Sequence, residues 1–213
     1  MSDTLKLYHA VNSPNSRRVR IFLAEKGLKP TLISVDLGAG EQHSETYGAI
    51  NPRHVVPALM LEDGTTIGEV PAIMRYLDEA FPEMPLLGAT PKDKGLVVMW
   101  ERFAELEGFA PVMEGVRNKV ERLKGRAVAG PHDYEQIPGL VDRSMLRVTN
   151  FLTDLNERLE QVPFLAGERF SAADITALVT IDFAKALEIS IPQGHRALAR
   201  WKDAISKRPS MSA

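Results

Sequence analysis

The chain has 213 residues, of which 44% are hydrophobic and 25% are charged, with a formal net charge of -2 and no cysteine. This composition is typical of a globular protein, and its small net charge favours neither a nucleic acid nor a membrane as partner. The absence of cysteine excludes disulfides, thiolate metal sites and any thiol nucleophile of the chain's own. The five histidines lack a metal-ligand spacing such as HxxxH, so we predict no bound metal.

No apolar run approaches the roughly 20 residues that a membrane-spanning helix needs. The opening "MSDTLKLYHA" also lacks the charged start and long apolar core of a signal peptide. We therefore expect a soluble cytoplasmic protein.

The first part of the chain alternates between short apolar runs and helical segments. "LKLYH" and "PTLISVDL" predict strands, and the helix between them has an apolar face and ends near Gly27. After a connecting helical stretch, "VVPALMLEDGTTIGE" predicts a hairpin turning at Asp63-Gly64, and "VPAIMRYLDEAF" predicts a helix. The order βαβ, helical stretch, ββα indicates an α/β domain.

The residue composition and the spacing of apolar residues change after Phe81. "PEMPLLGATPKDK" has the composition of a linker, and the apolar residues beyond it recur at three- and four-residue spacing. The glycine- and proline-containing "KGRAVAGPHDYEQIPG" predicts a long loop between helices. We predict an α/β domain over residues 1–82, a linker over 83–92 and an all-α domain over 93–213.

One helix start near the end of the chain has a specific signature. Ser171 and Asp174 have the spacing of a capping box, and Phe170 and Ile175 occupy the positions of a hydrophobic staple. We interpret Asp174 as structural rather than catalytic.

Five segments, in this order, resemble the glutathione transferase superfamily: "SPNSRRVRIFLAEKGL", "NPRHVVPAL", "DGTTIGEVPAIMRYLDEAFP", "FLAGERFSAADIT" and "LARWKDAISKRPS". The resemblance implies an N-terminal thioredoxin-like domain and an all-helical C-terminal domain. It also implies a cytoplasmic homodimer that uses glutathione as co-substrate, without a metal, to detoxify a small hydrophobic electrophile. In that dimer the third helix of one subunit would contact the long helices of the other.

Ser13 is the catalytic residue that the resemblance implies. The positions of a thioredoxin-type C-x-x-C motif are Ser13-Pro14-Asn15-Ser16 here. A serine hydroxyl can donate a hydrogen bond to the thiolate of bound glutathione, and the start of the following helix favours that negative charge. The alternatives are that Ser13 only caps this helix, or that Ser16 acts instead. Arg17 and Arg18 could add positive field, but we expect them on the solvated surface.

The resemblance implies that glutathione is held mainly by main-chain groups and one acid. Pro57 would be a cis-proline that lets the Val56 backbone pair with the cysteinyl part of the peptide. Glu69 would meet the ligand's α-ammonium group, and the Val70 amide its γ-glutamyl carboxylate.

Three positions depart from the family pattern. Val70 stands where the family usually has serine, and losing a hydrogen bond to a charged group costs about 1.5–3 kcal/mol. Val55 stands where lysine or glutamine is frequent, and His54 where glycine is. His43 resembles a contact to the glycyl carboxylate and could compensate, or it is an ordinary exposed histidine.

The electrophile would bind in an apolar acceptor pocket between the domains. The candidates for its wall are Val11, Trp100, Phe103, Phe109 and Met113, and core packing is the alternative for most of them. Besides conjugation, glutathione-dependent isomerisation or dehalogenation, or a non-catalytic module that binds a ligand or a protein, fit the same sequence.

Overall fold

The computed structural model describes residues 4–213, which form two compact units. The first unit extends to Met84 and also includes Ala129–His132 and Ser212–Ala213. The second comprises Pro85–Val128 and Asp133–Met211. The first division, after Met84, falls in the proline-rich segment that we interpret as a linker.

The first unit is a four-stranded sheet with three helices. Its elements are β1 (Lys6–His9), α1 (Pro14–Glu25), β2 (Thr31–Ser34), a 3-10 turn (Glu41–His43), α2 (Glu45–Ile50), β3 (Ala58–Met60), β4 (Thr66–Gly68) and α3 (Val70–Ala80). The strand order is β2-β1-β3-β4, with β1 parallel to β2 and antiparallel to β3, and β4 antiparallel to β3. This is the predicted α/β arrangement.

The sheet pairing explains which strand residues are buried. Leu7 of β1 pairs with Leu59 of β3, and both are fully buried, whereas Leu32 on the edge strand β2 is exposed. Only Thr31–Ser34 of the predicted strand "PTLISVDL" pairs, because β1 offers only the four residues Lys6–His9 opposite it.

A buried ion pair ties α1 to α3. The Nζ atom of Lys26 lies 2.8 Å from the Asp78 carboxylate, and both side chains are almost fully buried. The same ammonium donates to the Met84 carbonyl at 3.1 Å. Loss of either partner would leave an uncompensated buried charge, so this pair makes the helix contact specific.

The second unit is helical. Its elements are α4 (Pro91–Phe103), a π-helical turn (Ala104–Phe109), α5 (Ala110–Lys119), a 3-10 turn (Glu121–Leu123), α6 (Gly139–Gln161), α7 (Ala172–Ala184), a 3-10 turn (Lys185–Leu187), α8 (Arg196–Ser206) and a final 3-10 turn (Pro209–Ser212). A loop joins the Glu121–Leu123 turn to α6 where the sequence predicts one. Within residues 4–213, no helix combines the length and the apolar character that crossing a membrane requires.

The π-helical turn joins α4 and α5 into one continuous helical segment. The Ala110 N–H donates to the Glu105 carbonyl, five residues back. Gly108 faces α6 so closely that a Cβ atom there would lie 2.6 Å from the Phe151 ring. A side chain at this position would therefore push α6 away.

The start of α7 is fixed by the Asp174 carboxylate, which is fully buried. One carboxylate oxygen accepts from the Leu165 N–H at 3.0 Å and the Trp201 indole N–H at 3.2 Å. The other accepts from the N–H and the hydroxyl of Ser171, each at 3.0 Å. The predicted capping box is thus present, and Asp174 also joins α7 to α8 and to the segment before it.

Replacement of this carboxylate should cost much of the unit's stability. Asp174→Ala leaves four buried donors without an acceptor, so we expect a loss of roughly 3–5 kcal/mol in the free energy of unfolding. Ser171→Ala removes one of these donors and one cap, and should cost only about 1 kcal/mol. Urea unfolding of both variants measures the difference; equal losses would contradict the four-donor account.

The free energy of unfolding that Asp174→Ala loses depends on pH, and the pKa of Asp174 gives the direction. Burial raises the pKa of Asp174 to about 6, although the four hydrogen bonds oppose the shift. Because an unfolded aspartate has a pKa of about 4, the folded chain binds this proton more tightly, and the group's contribution to stability falls as pH rises from 4 to 6. The stability gap between wild type and Asp174→Ala should therefore narrow over this range, as urea titrations at several pH values would measure.

Candidate functional site

The sheet register brings several predicted site segments to one end of the first unit. His9 pairs with Ser34 in the parallel pair, and Tyr8, Ala58 and Gly68 lie opposite one another across β1, β3 and β4. The chain therefore leaves β1, β2 and β4, and enters β3, at the same end of the sheet. The segments that carry the predicted Ser13, His43, Val56 and Glu69 all begin or finish there.

Ser13 is the N-cap of α1. Its Oγ accepts a hydrogen bond from the Ser16 N–H at 3.3 Å, and its side chain is mostly buried, with 8% of the residue exposed. Within residues 4–213, the Ser13 hydroxyl donates no hydrogen bond. A hydroxyl can accept and donate at the same time. Capping and donation to a bound thiolate are therefore compatible roles.

Ser16 has a different environment. It is fully buried, and its Oγ accepts from the Ala10 N–H at 3.2 Å. A side chain with no exposed surface cannot contact a ligand without rearrangement. Ser16 therefore stabilises the turn, and Ser13 is the one of the two serines that keeps some exposed surface.

Arg20 holds the segment between β1 and Ser13. Its guanidinium donates to the Ala10 carbonyl at 3.2 Å and to the Val11 carbonyl at 3.1 Å. It also lies 3.2 Å from Nδ1 of His9. Arg20 is not among the predicted site residues. A charged residue seven positions after Ser13, on the same face of α1, is the sequence signal that could have indicated it.

The expectation that Arg18 lies on the solvated surface is wrong. Arg18 has no exposed surface, and its guanidinium donates to Asn15 Oδ1 at 3.2 Å. Its helical spacing of three and four residues from Ile21 and Phe22, both fully buried, places it on the apolar face of α1. That spacing could have indicated burial from the sequence.

The Val56-Pro57 peptide bond is cis. The Val55 carbonyl just before it accepts from the Tyr47 hydroxyl at 2.7 Å and from Asn51 Nδ2 at 2.8 Å. Burial raises the pKa of Tyr47 to about 12, so its hydroxyl remains a donor at neutral pH. Among residues 4–213 the Val56 backbone has no hydrogen-bond partner, which leaves its N–H and carbonyl available.

Glu69 precedes α3 and has a backbone conformation that residues other than glycine rarely adopt. Its φ is 61°, and its exposed carboxylate makes no hydrogen bond to the helix that it precedes. Backbone strain of this kind is concentrated at functional sites, so the positive φ supports a functional role for Glu69. Val70, the first residue of α3, is buried with 5% exposed, and Pro71 removes one of the amides at this helix start.

His43 and His54 form a ring contact, with centroids 5.6 Å apart. His54 Nδ1 lies 2.7 Å from the Gln42 carbonyl, which can only accept, so this nitrogen carries a proton. His43 is exposed at the end of its 3-10 turn. His54 is thus held by a hydrogen bond within this segment, whereas the His43 side chain is exposed.

The acceptor-pocket candidates have unlike environments. Val11, next to the Ser13 turn, is 66% exposed. Trp100 and Phe103 line a cavity of about 500 Å³ between α4 and α6, together with Met99, Asp154, Glu157, Arg158 and Gln161. Phe109 is 5% exposed and packs against Phe183 with ring centroids 5.8 Å apart, and Met113 is half-buried.

The cavity between α4 and α6 has a polar side. The Trp100 indole N–H is buried and has no hydrogen-bond partner within residues 4–213, and the Arg158 guanidinium lies 4.6 Å from the centre of the Trp100 ring.

Over the same residues, no group of three or more histidine and acidic side chains could hold a metal ion.

The chain also matches proteins of known family. Models of the glutathione S-transferase N-terminal and C-terminal domains match residues 12–80 and 128–209. Glutathione S-transferase 2 of Saccharomyces cerevisiae is 31% identical over 227 residues, which cover 99% of this chain and 89% of the yeast protein. The chain belongs to the glutathione transferase superfamily. The comparison confirms the predicted family and its glutathione transferase activity.

Two further proteins are similar to this chain, one in its structure and one in part of its sequence. The crystal structure of a glutathione S-transferase domain-containing protein from Marinobacter aquaeolei VT8 is 34% identical, with a TM-score of 0.87 over 97% of this chain and 99% of that chain. This likeness confirms the predicted fold. A maleylacetoacetate isomerase of Pseudomonas aeruginosa is 42% identical over 89 residues, 41% of this chain and 42% of the isomerase.

Proposed function

We propose that the Ser13 hydroxyl of this transferase lowers the pKa of the glutathione thiol and that the resulting thiolate attacks a hydrophobic electrophile. One observation carries this proposal. The Ser13 hydroxyl oxygen accepts from the Ser16 N–H at the start of α1, and the hydroxyl proton has no acceptor within residues 4–213. The start of α1 adds partial positive charge beside the same atom. The thiol proton passes to solvent, a carbon–sulfur bond forms, and the electrophile releases its leaving group or accepts the electron pair into a polarised double bond.

Glutathione binding in this proposal uses the groups at the same end of the sheet. The free Val56 backbone pairs with the cysteinyl part, and the exposed Glu69 carboxylate meets the α-ammonium group. The Val70 N–H binds the γ-glutamyl carboxylate at the start of α3. His43 contacts the glycyl carboxylate, and Val55 adds an apolar side chain where a polar one would strengthen binding.

The electrophile in this proposal contacts apolar side chains. In the first unit the proposed contact with the electrophile is Val11, close to Ser13. In the helical unit the proposed contacts are Trp100, Phe103, Phe109 and Met113. Support is strongest for Trp100 and Phe103, which already border an open cavity. Support is weakest for Phe109, because its ring is packed in the core.

We propose further that the protein is a cytoplasmic homodimer that detoxifies such electrophiles. The support is the family: the subunit contact would place α3 of one protomer against the long helices of its partner. Light scattering coupled to size exclusion tests the dimer directly.

Two other functions have specific support. The partial match to a maleylacetoacetate isomerase favours glutathione-dependent isomerisation, in which the thiolate adds to a double bond and later leaves it. Val70 and Val55 instead favour a non-catalytic module with weak glutathione affinity. Release of unchanged glutathione in each turnover separates isomerisation from conjugation, and glutathione binding separates either from the module.

Glutathione affinity should rise when a hydroxyl is restored at the start of α3. Val70→Ser, and the nearly isosteric Val70→Thr, should tighten binding roughly ten- to a hundredfold, because a hydrogen bond to a charged group contributes about 1.5–3 kcal/mol. Isothermal titration calorimetry with glutathione measures this. Val97→Thr is the matched control, because Val97 has the same 5% exposure in the helical unit. No binding by wild type or by either Val70 variant would favour the non-catalytic module.

The two roles of Ser13 can be separated with two variants. Glycine is a much better N-cap than alanine, so Ser13→Ala should lose about 1 kcal/mol of stability and Ser13→Gly only a few tenths. Both lack the hydroxyl, and both should lose roughly 100-fold in kcat/KM with a model aryl halide. Activity that falls in Ser13→Ala but survives in Ser13→Gly would assign Ser13 to capping alone.

A further inference from the structure

Three hydrogen bonds converge on the two residues that precede the Ser13 turn. The Ala10 carbonyl accepts from the Ser13 N–H at 3.1 Å and from the Arg20 guanidinium at 3.2 Å. The Val11 carbonyl accepts from the other terminal nitrogen of Arg20 at 3.1 Å. Arg20 thus spans two consecutive carbonyls with its two terminal nitrogens, which a single-point donor such as lysine cannot do.

His9 closes the other side of this arrangement. An arginine only donates, so His9 Nδ1 must accept from Arg20, and the imidazole is neutral with its proton on Nε2. Burial and the nearby Arg20 charge lower the pKa of His9, which is consistent with this state. The guanidinium therefore has three defined acceptors, on His9, Ala10 and Val11.

Ser16 completes the network from the helix side. Its hydroxyl accepts from the Ala10 N–H, and its own N–H donates to Ser13 Oγ. Both main-chain groups of Ala10 are therefore bonded to α1, its carbonyl to Arg20 and its N–H to Ser16. The position of Ser13 Oγ depends on this connection.

We propose that Arg20 is a positioning residue, whose guanidinium fork fixes the Ala10–Val11 carbonyls and thereby the direction of the Ser13 hydroxyl. The catalytic consequence rests on the proposed function: a Ser13 hydroxyl that is free to swing donates a weaker hydrogen bond to the thiolate, and the thiol pKa rises. The structural consequence does not rest on it, since the turn is held whether or not glutathione binds.

The structural consequence is tested by amide hydrogen exchange. Arg20→Met keeps the aliphatic stem and removes all the donors, so the Ser13 and Ser16 amides should exchange at least about tenfold faster than in wild type. Amides in the middle of α3, such as that of Leu77, should exchange at an unchanged rate. Lys29→Met is the control, because it removes a positive charge close after α1 from an exposed side chain. Unchanged exchange at Ser13 and Ser16 in Arg20→Met would overturn the proposal, whatever the protein's activity.

The catalytic consequence is tested by titrating the thiolate absorbance of bound glutathione at 240 nm. We expect the thiol pKa to rise by about one unit in Arg20→Met, with kcat falling about tenfold below that pKa and a smaller change in KM for glutathione. Arg20→Lys should be intermediate, because it keeps the charge and one donor nitrogen but loses the planar fork of two. A wild-type value in Arg20→Lys beside a raised value in Arg20→Met would overturn positioning and leave a charge effect.

The two hypotheses fail in distinguishable ways. If the wild-type protein shows neither glutathione binding nor a thiolate band, the proposed function fails, and the exchange rates alone decide the role of Arg20. If wild type shows both and Arg20→Met leaves the thiol pKa unchanged, the proposed function stands and the inference about Arg20 is overturned.

Discussion

The bond from the Ser16 N–H to Ser13 Oγ is the interaction on which the whole site depends. It starts α1 at Pro14, so it fixes where the helix begins and where its positive end points. It uses only the lone pairs of the hydroxyl, so the same atom can serve the fold and a ligand together. The surrounding groups act on this bond: Ser16 is buried beneath it, and Arg20 secures the chain that leads into it.

A chain without cysteine has no thiol of its own, so glutathione has to bring the nucleophilic sulfur, and this changes what the residues of the chain have to do. No side chain needs to be reactive; the groups at the end of the sheet only need to hold a peptide and favour one charge state of its sulfur. Main-chain groups suit the first task, so valines such as Val56 and Val70 are compatible with the proposed binding site although their side chains are apolar. A helix start and one hydroxyl suit the second.

Local signals made much of this fold predictable. The hairpin turn at Asp63-Gly64 and the capping box at Asp174 follow from neighbouring residues, and the ordered match of five segments identified the family. The burial of Arg18 was not predicted, although its spacing from Ile21 and Phe22 indicates the apolar face of α1. The contacts of Arg20 were not predicted, because they reach back to residues that precede the helix. The register that gathers Ser13, Val56 and Glu69 likewise comes from strand pairing across 50 or more residues. The cavity beside Trp100 requires the packing of α4 on α6, which no periodicity gives.

The π-helical turn of residues 104–109 sets the rotational phase between two halves of one helical segment. One residue advances an α-helix by about 100°, so a turn that holds an additional residue rotates everything after it by that angle. Trp100 and Phe103, before the turn, border the cavity, whereas Phe109, at its end, points into the core. A single inserted residue can thus redistribute aromatic rings between a binding surface and a hydrophobic core, which gives a family a way to reshape a pocket without exchanging any of its side chains.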